Sequence, residues 1–157
     1  IQQGMAILSK HPIIKSFEYY LPQAPSEEPR SNLCFDIEKD DMTYKLANVH
    51  HANQEDRAKI QLVDFLQFLK SRGEPRIIAG DFNLYNLTQY SQQSTIIAGY
   101  KLSTGYKMYE SFPEKNWTLD YILIPENYSF HHLETTQEYV SDHLGLFAEI
   151  VSSDTTT

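Results

Sequence analysis

Apolar and polar residues alternate along several stretches of this chain, and another stretch repeats its apolar residues with helical spacing. Residues 14–20 read as a strand. Residues 33–37 and 42–49 alternate on either side of the polar run Glu38-Lys39-Asp40-Asp41, the pattern of a β-hairpin. Ala58, Leu62, Phe65, Leu66 and Leu69 recur at helical spacing and predict a helix with one apolar face. Asn53 stands where an N-cap belongs, Lys70 and Arg72 fall in the last turn, and Gly73 followed by Pro75 ends the helix.

The helix hands over to Arg76-Ile-Ile-Ala-Gly-Asp-Phe-Asn-Leu84, whose β-branched first half reads as a strand buried on both faces and ended by Gly80. Strand, helix and strand in that order predict a crossover unit with its two strands close together. Residues 4–9 are expected to form a further strand, closed by Lys10-His11-Pro12, and Pro22, Pro25 and Pro29 mark an exposed loop. Beyond Leu84 a weaker helix is expected to end around residues 95–98, before Gly99. Residues 105–116 read as a loop, and strands are expected at 118–124, 131–139 and 144–151, followed by a polar tail, 152–157.

Composition narrows the class without naming it. A chain of 157 residues with 41% hydrophobic content suits one domain, here residues 1–151, with a real core. Its net charge of −8 argues against a general nucleic-acid-binding surface, since such affinity rests on Lys and Arg. The single cysteine, Cys34, excludes an intrachain disulfide and a Cys-based zinc site and reads as a small core residue. No apolar run is long enough for a transmembrane helix. The chain opens at Ile1 rather than Met, which leaves room for an upstream segment.

Candidate chemistry gathers at strand ends: His50, Asp81 with Asn83, Asp120, and Asp142 with His143. Taken singly, each has an ordinary explanation, Gly-Asp-Phe-Asn as a turn and Asp120 as half of a structural ion pair. His11, His51, His131 and His132 read as surface or loop residues. Taken together, the set has what metal-assisted phosphoester hydrolysis requires. Histidine backed by a carboxylate generates hydroxide, aspartates bind a hard cation, and further donors balance charge on the phosphorus. Tyr106, Tyr109, Phe112 and Trp117 precede Asp120 and are placed to line a substrate cleft or to pack beneath a loop.

Asn48-Val-His50, Gly80-Asp-Phe-Asn83, Leu119-Asp-Tyr-Ile122 and Ser141-Asp-His143 stand in the order found in the endonuclease/exonuclease/phosphatase superfamily, which this chain resembles from Gly4 to Val151. The resemblance implies an α+β, four-layer α/β/β/α sandwich of the deoxyribonuclease-I-like type. It also implies a Mg²⁺-dependent phosphoric ester hydrolase, with Mn²⁺ as the alternative ion. The substrate would be nucleic acid, a small phosphorylated molecule or a lipid. His143 would be the base, Asp120 would hold its tautomer, and Asp81 would align the nucleophile or touch the metal. Asn83 and His50 would contact phosphate oxygens, and Asp142 would help bind the metal.

One departure stands out. The family's early strands, carrying an Asn and the main Glu ligand of the metal, do not appear upstream of Gly4, and Glu18 lies in the wrong place. The expectation is the C-terminal two-thirds of a domain, weak in Mg²⁺ binding and with an unpaired sheet edge. The competing expectation is a non-catalytic binding module that keeps the fold without the full metal site.

Overall fold

The computed structural model describes residues 4–153. Residues 1–3 and the end of the polar tail, 154–157, lie outside the described residues. The chain forms two compact units, Ile1–Asn83 and Leu84–Thr157.

In the first unit β1 (Ile13–Tyr20), β2 (Ser31–Lys39) and β3 (Met42–His50) form an antiparallel meander. The β2–β3 turn is Asp40-Asp41, both in the left-handed region at φ 53° and 60°, which is the two-residue hairpin geometry that matches strand twist. Helix α1 (Glu55–Arg72) then crosses over to β4 (Ile77–Asp81), which pairs parallel with β3. Ala58, Leu62, Phe65 and Leu69 are buried as the helical spacing requires. Full burial of each of the three larger side chains contributes about 1.5–3 kcal/mol. Phe65 and Phe68 pack against Tyr19 of β1, with ring centroids 5.5 and 4.1 Å away. The helix ends at Gly73, φ 61°, whose N–H donates to the Lys70 carbonyl while Glu74 N–H donates to Leu69.

Several expectations need correction. Residues 4–9 are not a strand: Leu8 is 98% exposed, and no described strand lies alongside to complete a ladder. A short apolar run alone does not make a strand without a partner. Asn53 is not the N-cap of α1; Gln54 is, and the Asn53 side chain instead accepts a hydrogen bond from Arg30. Gly80 does not end β4, which continues to Asp81. Gly80 sits at φ 142°, and a Cβ there would lie 2.1 Å from the Val49 carbonyl oxygen, so the glycine permits the close β3–β4 approach that brings His50 opposite Asp81.

The second unit begins with α2 (Leu87–Gln93), which stops before residues 95–98. The Ser94 hydroxyl donates to Tyr90 O and accepts from Ile96 N–H, a side-chain alternative to the next helical turn. A short strand that the pattern did not reveal, β5 (Tyr100–Leu102), pairs antiparallel with β6 (Asp120–Pro125). Between them lie the single helical turn α3 (Ser103–Tyr106) and a 3-10 turn, Pro113–Lys115. After Asp120, every residue of β6 is buried. The Tyr121 hydroxyl lies 2.8 Å from Leu84 O and 2.9 Å from Thr118 O. β7 (Tyr128–Thr135) and β8 (Leu146–Ser152) form an antiparallel pair, each displaced from its expected range by a few residues. Among the described residues no helix is long and apolar enough to cross a membrane.

Candidate active site

Strand parity and a crowded turn build the first cluster. Parallel register sets His50 beside Asp81, with His50 Nε2 3.6 Å from Asp81 Oδ2. Asp81 Oδ1 accepts the Asn83 N–H at 2.8 Å, and Asn83 takes φ 50° to make this turn. The Asn83 amide donates to the His51 carbonyl at 2.9 Å, and His51 N–H donates to the Asp81 carbonyl. The ends of β3 and β4 are thereby tied together, with the Asp81 side chain partly shielded and that of His50 more open.

His51, read as a surface or loop residue, does follow β3 in a loop, but its side chain is fully buried edge-on to Phe82. Burial pushes its imidazole down to about 3, with nearby His50 and Arg30 adding to the effect. Below about pH 6.5 the unfolded chain takes up a proton that the folded chain refuses until about pH 3, so stability falls as pH falls through that window. We expect His51 to withdraw about 2 kcal/mol of stability between pH 7 and pH 5. Urea denaturation at both pH values checks this against His51→Leu, whose pH slope should be shallower by about one proton. An unchanged slope refutes a neutral, buried imidazole.

The second cluster lies within the second unit. His143 Nδ1 is 2.7 Å from Asp120 Oδ2, and both side chains are largely shielded. The Phe112 ring packs against the imidazole with centroids 4.9 Å apart. Asp120 is fixed through its backbone: its N–H and that of Leu119 both donate to the buried Ser111 hydroxyl, and its carbonyl accepts from the Tyr109 hydroxyl at 2.8 Å. Burial raises the Tyr109 phenol well above its ordinary range, so it remains a donor. His143 N–H donates to the Ser141 hydroxyl, and Leu144 N–H to Ser111 O, which holds the His143 loop near the Ser111 turn.

The structure thus joins His50, Asp81 and Asn83 in one cluster and Asp120 with His143 in another. Asp142 is exposed, and its carboxylate accepts the Ser141 hydroxyl, the main cause of its lowered pKa. Sequence reasoning missed Ser111 and its support of Asp120. A buried serine in an otherwise polar loop carries no periodic signal. Of the four aromatics ahead of Asp120, Tyr109 and Trp117 line a cleft. Phe112 packs on His143, and Tyr106 packs on Phe130.

The family model "Endonuclease/Exonuclease/phosphatase family" matches residues 1–143, and the chain belongs to that family of phosphoric ester hydrolases. No curated protein sequence matches it. The human Nocturnin catalytic domain, solved with a bound sulfate anion, superposes with a TM-score of 0.69 at 18% identity, covering 90% of this chain and 60% of that one. The D. rerio TDP2 structure with a single-strand DNA product gives 0.70 at 17% identity, with coverage of 89% and 68%. A Bacteroides thetaiotaomicron VPI-5482 mannosyl-6-phosphatase gives 0.68 at 16% identity, with coverage of 90% and 67%. These likenesses establish the mixed α+β, deoxyribonuclease-I-like fold. The chain spans about two thirds of the length of the solved relatives, and less of Nocturnin.

Proposed function

We propose that this chain carries the water-activating and phosphate-binding residues of a divalent-metal-dependent phosphoesterase that cleaves a phosphomonoester or phosphodiester. The Asp120–His143 pair is the observation that carries this reading. A carboxylate can only accept, so Asp120 selects the Nδ1–H tautomer of His143 and leaves Nε2 as the basic nitrogen. Nε2 then takes a proton from the attacking water, and the imidazolium that forms is stabilised by the carboxylate behind it. His50 and the second N–H of the Asn83 amide donate to phosphate oxygens, where negative charge grows as water adds.

The donor chemistry fits a hard divalent cation. The first unit offers the Asp81 carboxylate and the second the Asp120 carboxylate and the His143 imidazole, donor types that Mg²⁺ accepts in part and Mn²⁺ more readily. Asp81 is the first ligand in this reading and Asp142 a further carboxylate for it. Such an ion supplies Lewis acidity toward the phosphoryl oxygens. Members of this fold include a protein solved with a DNA product and a mannosyl-6-phosphatase, so the fold leaves the substrate open.

The test is hydrolysis of bis-p-nitrophenyl phosphate and p-nitrophenyl phosphate by the purified chain, with Mg²⁺, with Mn²⁺ and with chelator. Asp81→Asn and His143→Ala serve as controls. Metal-dependent turnover lost in both variants supports the proposal. Turnover that survives either substitution refutes the assigned roles. Silence of this chain while one extended upstream is active marks a catalytic fragment, and silence of both favours a non-catalytic binding module.

A further inference from the structure

The second unit holds a cleft of about 530 Å³ whose lining the hydrolytic chemistry above leaves largely unused. Tyr85 and Trp117 form one side of it, stacked with centroids 4.9 Å apart and planes at 20°. The pair is 42% and 37% exposed, a large aromatic surface left to water where simple packing would have covered it. Asn86, Gln89, Glu110 and Asn116 also line the cleft, and no Lys or Arg side chain does. Lys115 stands just outside, its ammonium 5.4 Å from the centre of the Trp117 ring.

We propose that this cleft is the specificity subsite for the organic part of the ester, and that it receives a neutral polyhydroxylated ring such as a pyranose or a cyclitol. The proposal rests on the phosphoesterase reading and names the substrate class of that site. An aromatic face, negative at its centre, accepts the weakly positive C–H groups of a saturated ring. Amides donate to and accept from hydroxyls and a carboxylate accepts from them, and such side chains share the cleft lining with the aromatic pair. A volume of this size suits a single small ligand rather than a polymer. A nucleic-acid strand would bring flanking phosphates that need Lys and Arg, and neither the cleft nor a chain of net charge −8 supplies them.

Two paths of hydrogen bonds and ring packing link the cleft to the catalytic pair. Tyr109, part of the lining, donates its hydroxyl to the Asp120 carbonyl. The Trp117 carbonyl accepts the N–H groups of Ser111 and Phe112, and the Phe112 ring rests on His143. A ring seated on Tyr85 and Trp117 therefore meets the loop whose Phe112 packs on the proposed base.

Trp117 is the only tryptophan in the chain, so its fluorescence reports this cleft directly and does so without turnover. The experiment titrates the protein separately with glucose 6-phosphate, an inositol monophosphate, inorganic phosphate and a short thymidylate oligonucleotide. We expect a saturable change with at least one ring phosphate, and the comparison of the first two probes separates pyranose from cyclitol. Tyr85→Ala and Glu110→Gln, both at exposed positions, should each weaken that response about three- to tenfold. No saturable change with either ring phosphate, a tighter response to the oligonucleotide, or unchanged affinity in both variants overturns the assignment. Bis-p-nitrophenyl phosphate turnover, measured on the same preparation, keeps the two readings apart. Turnover without a ring-phosphate response sinks the subsite alone, and a response without turnover sinks the hydrolase alone.

Discussion

Asp120→Asn is expected to lower phosphoester turnover by about 10²–10⁴-fold while the protein stays folded. The substitution is nearly isosteric, and the backbone contacts that hold Asp120, from Ser111 and Tyr109, do not depend on its side chain. What changes is the partner presented to His143 Nδ1 at 2.7 Å. An amide turned to offer its N–H forces Nδ1 to accept, which moves the proton to Nε2 and removes the basic nitrogen. An amide turned to offer its oxygen keeps the tautomer but no longer balances the imidazolium that forms during reaction. Either outcome slows proton removal from water. Steady-state kinetics on bis-p-nitrophenyl phosphate checks the magnitude, with thermal melts to confirm folding. Because the two residues act as a unit, Asp120→Asn combined with His143→Ala should be hardly worse than His143→Ala alone. A single variant within threefold of the wild type, or fully additive losses in the double variant, would remove Asp120 from the mechanism.

The parts of this molecule that could be read from sequence are those where chemistry or period leaves few choices. Helix α1 was legible because Ala58, Leu62, Phe65, Leu66 and Leu69 must share a face, and the structure buries all but Leu66, which is half-buried. His50, Asp81 and Asn83 were legible as a group because the strand-helix-strand order makes β3 and β4 neighbours. The His51 error had its correction in view: Ala47 and Val49 are buried in β3, so the same parity carries residue 51 inward while His50 faces out. Residues 4–9 failed for the opposite reason, since an apolar run was present and, among the described residues, a partner strand was not. Ser111 and the Phe112 contact with His143 come from a turn closed by Trp117, through tertiary contacts that no local pattern encodes. The α2 boundary was set by one hydroxyl at Ser94, against the apolar look of the residues after it.

Asp36→Ala is expected to cost about 3–5 kcal/mol, a large share of the stability of a typical domain. Arg76 reads in the sequence as the opening of a strand, yet its side chain is fully buried. Its guanidinium sits 2.6 Å from Asp36 Oδ1 and donates to the carbonyls of Phe35 and Leu46, each at 3.2 Å, with the Phe17 ring 5.2 Å away. One side chain at the entrance to β4 thus grips β2 and β3 together. Truncating Asp36 leaves that cation buried with only neutral acceptors and the more distant Glu74, at 3.6 Å, to offset its lost hydration. Replacing both charges, as Asp36→Leu with Arg76→Met, removes the need for any partner and should recover most of the loss. Urea denaturation with a shared m-value checks both expectations. An Asp36→Ala cost below about 1 kcal/mol would show that the backbone carbonyls suffice for the buried charge. A double variant as unstable as the single one would show instead that the charges fix the β2–β3–β4 register that sets His50 against Asp81.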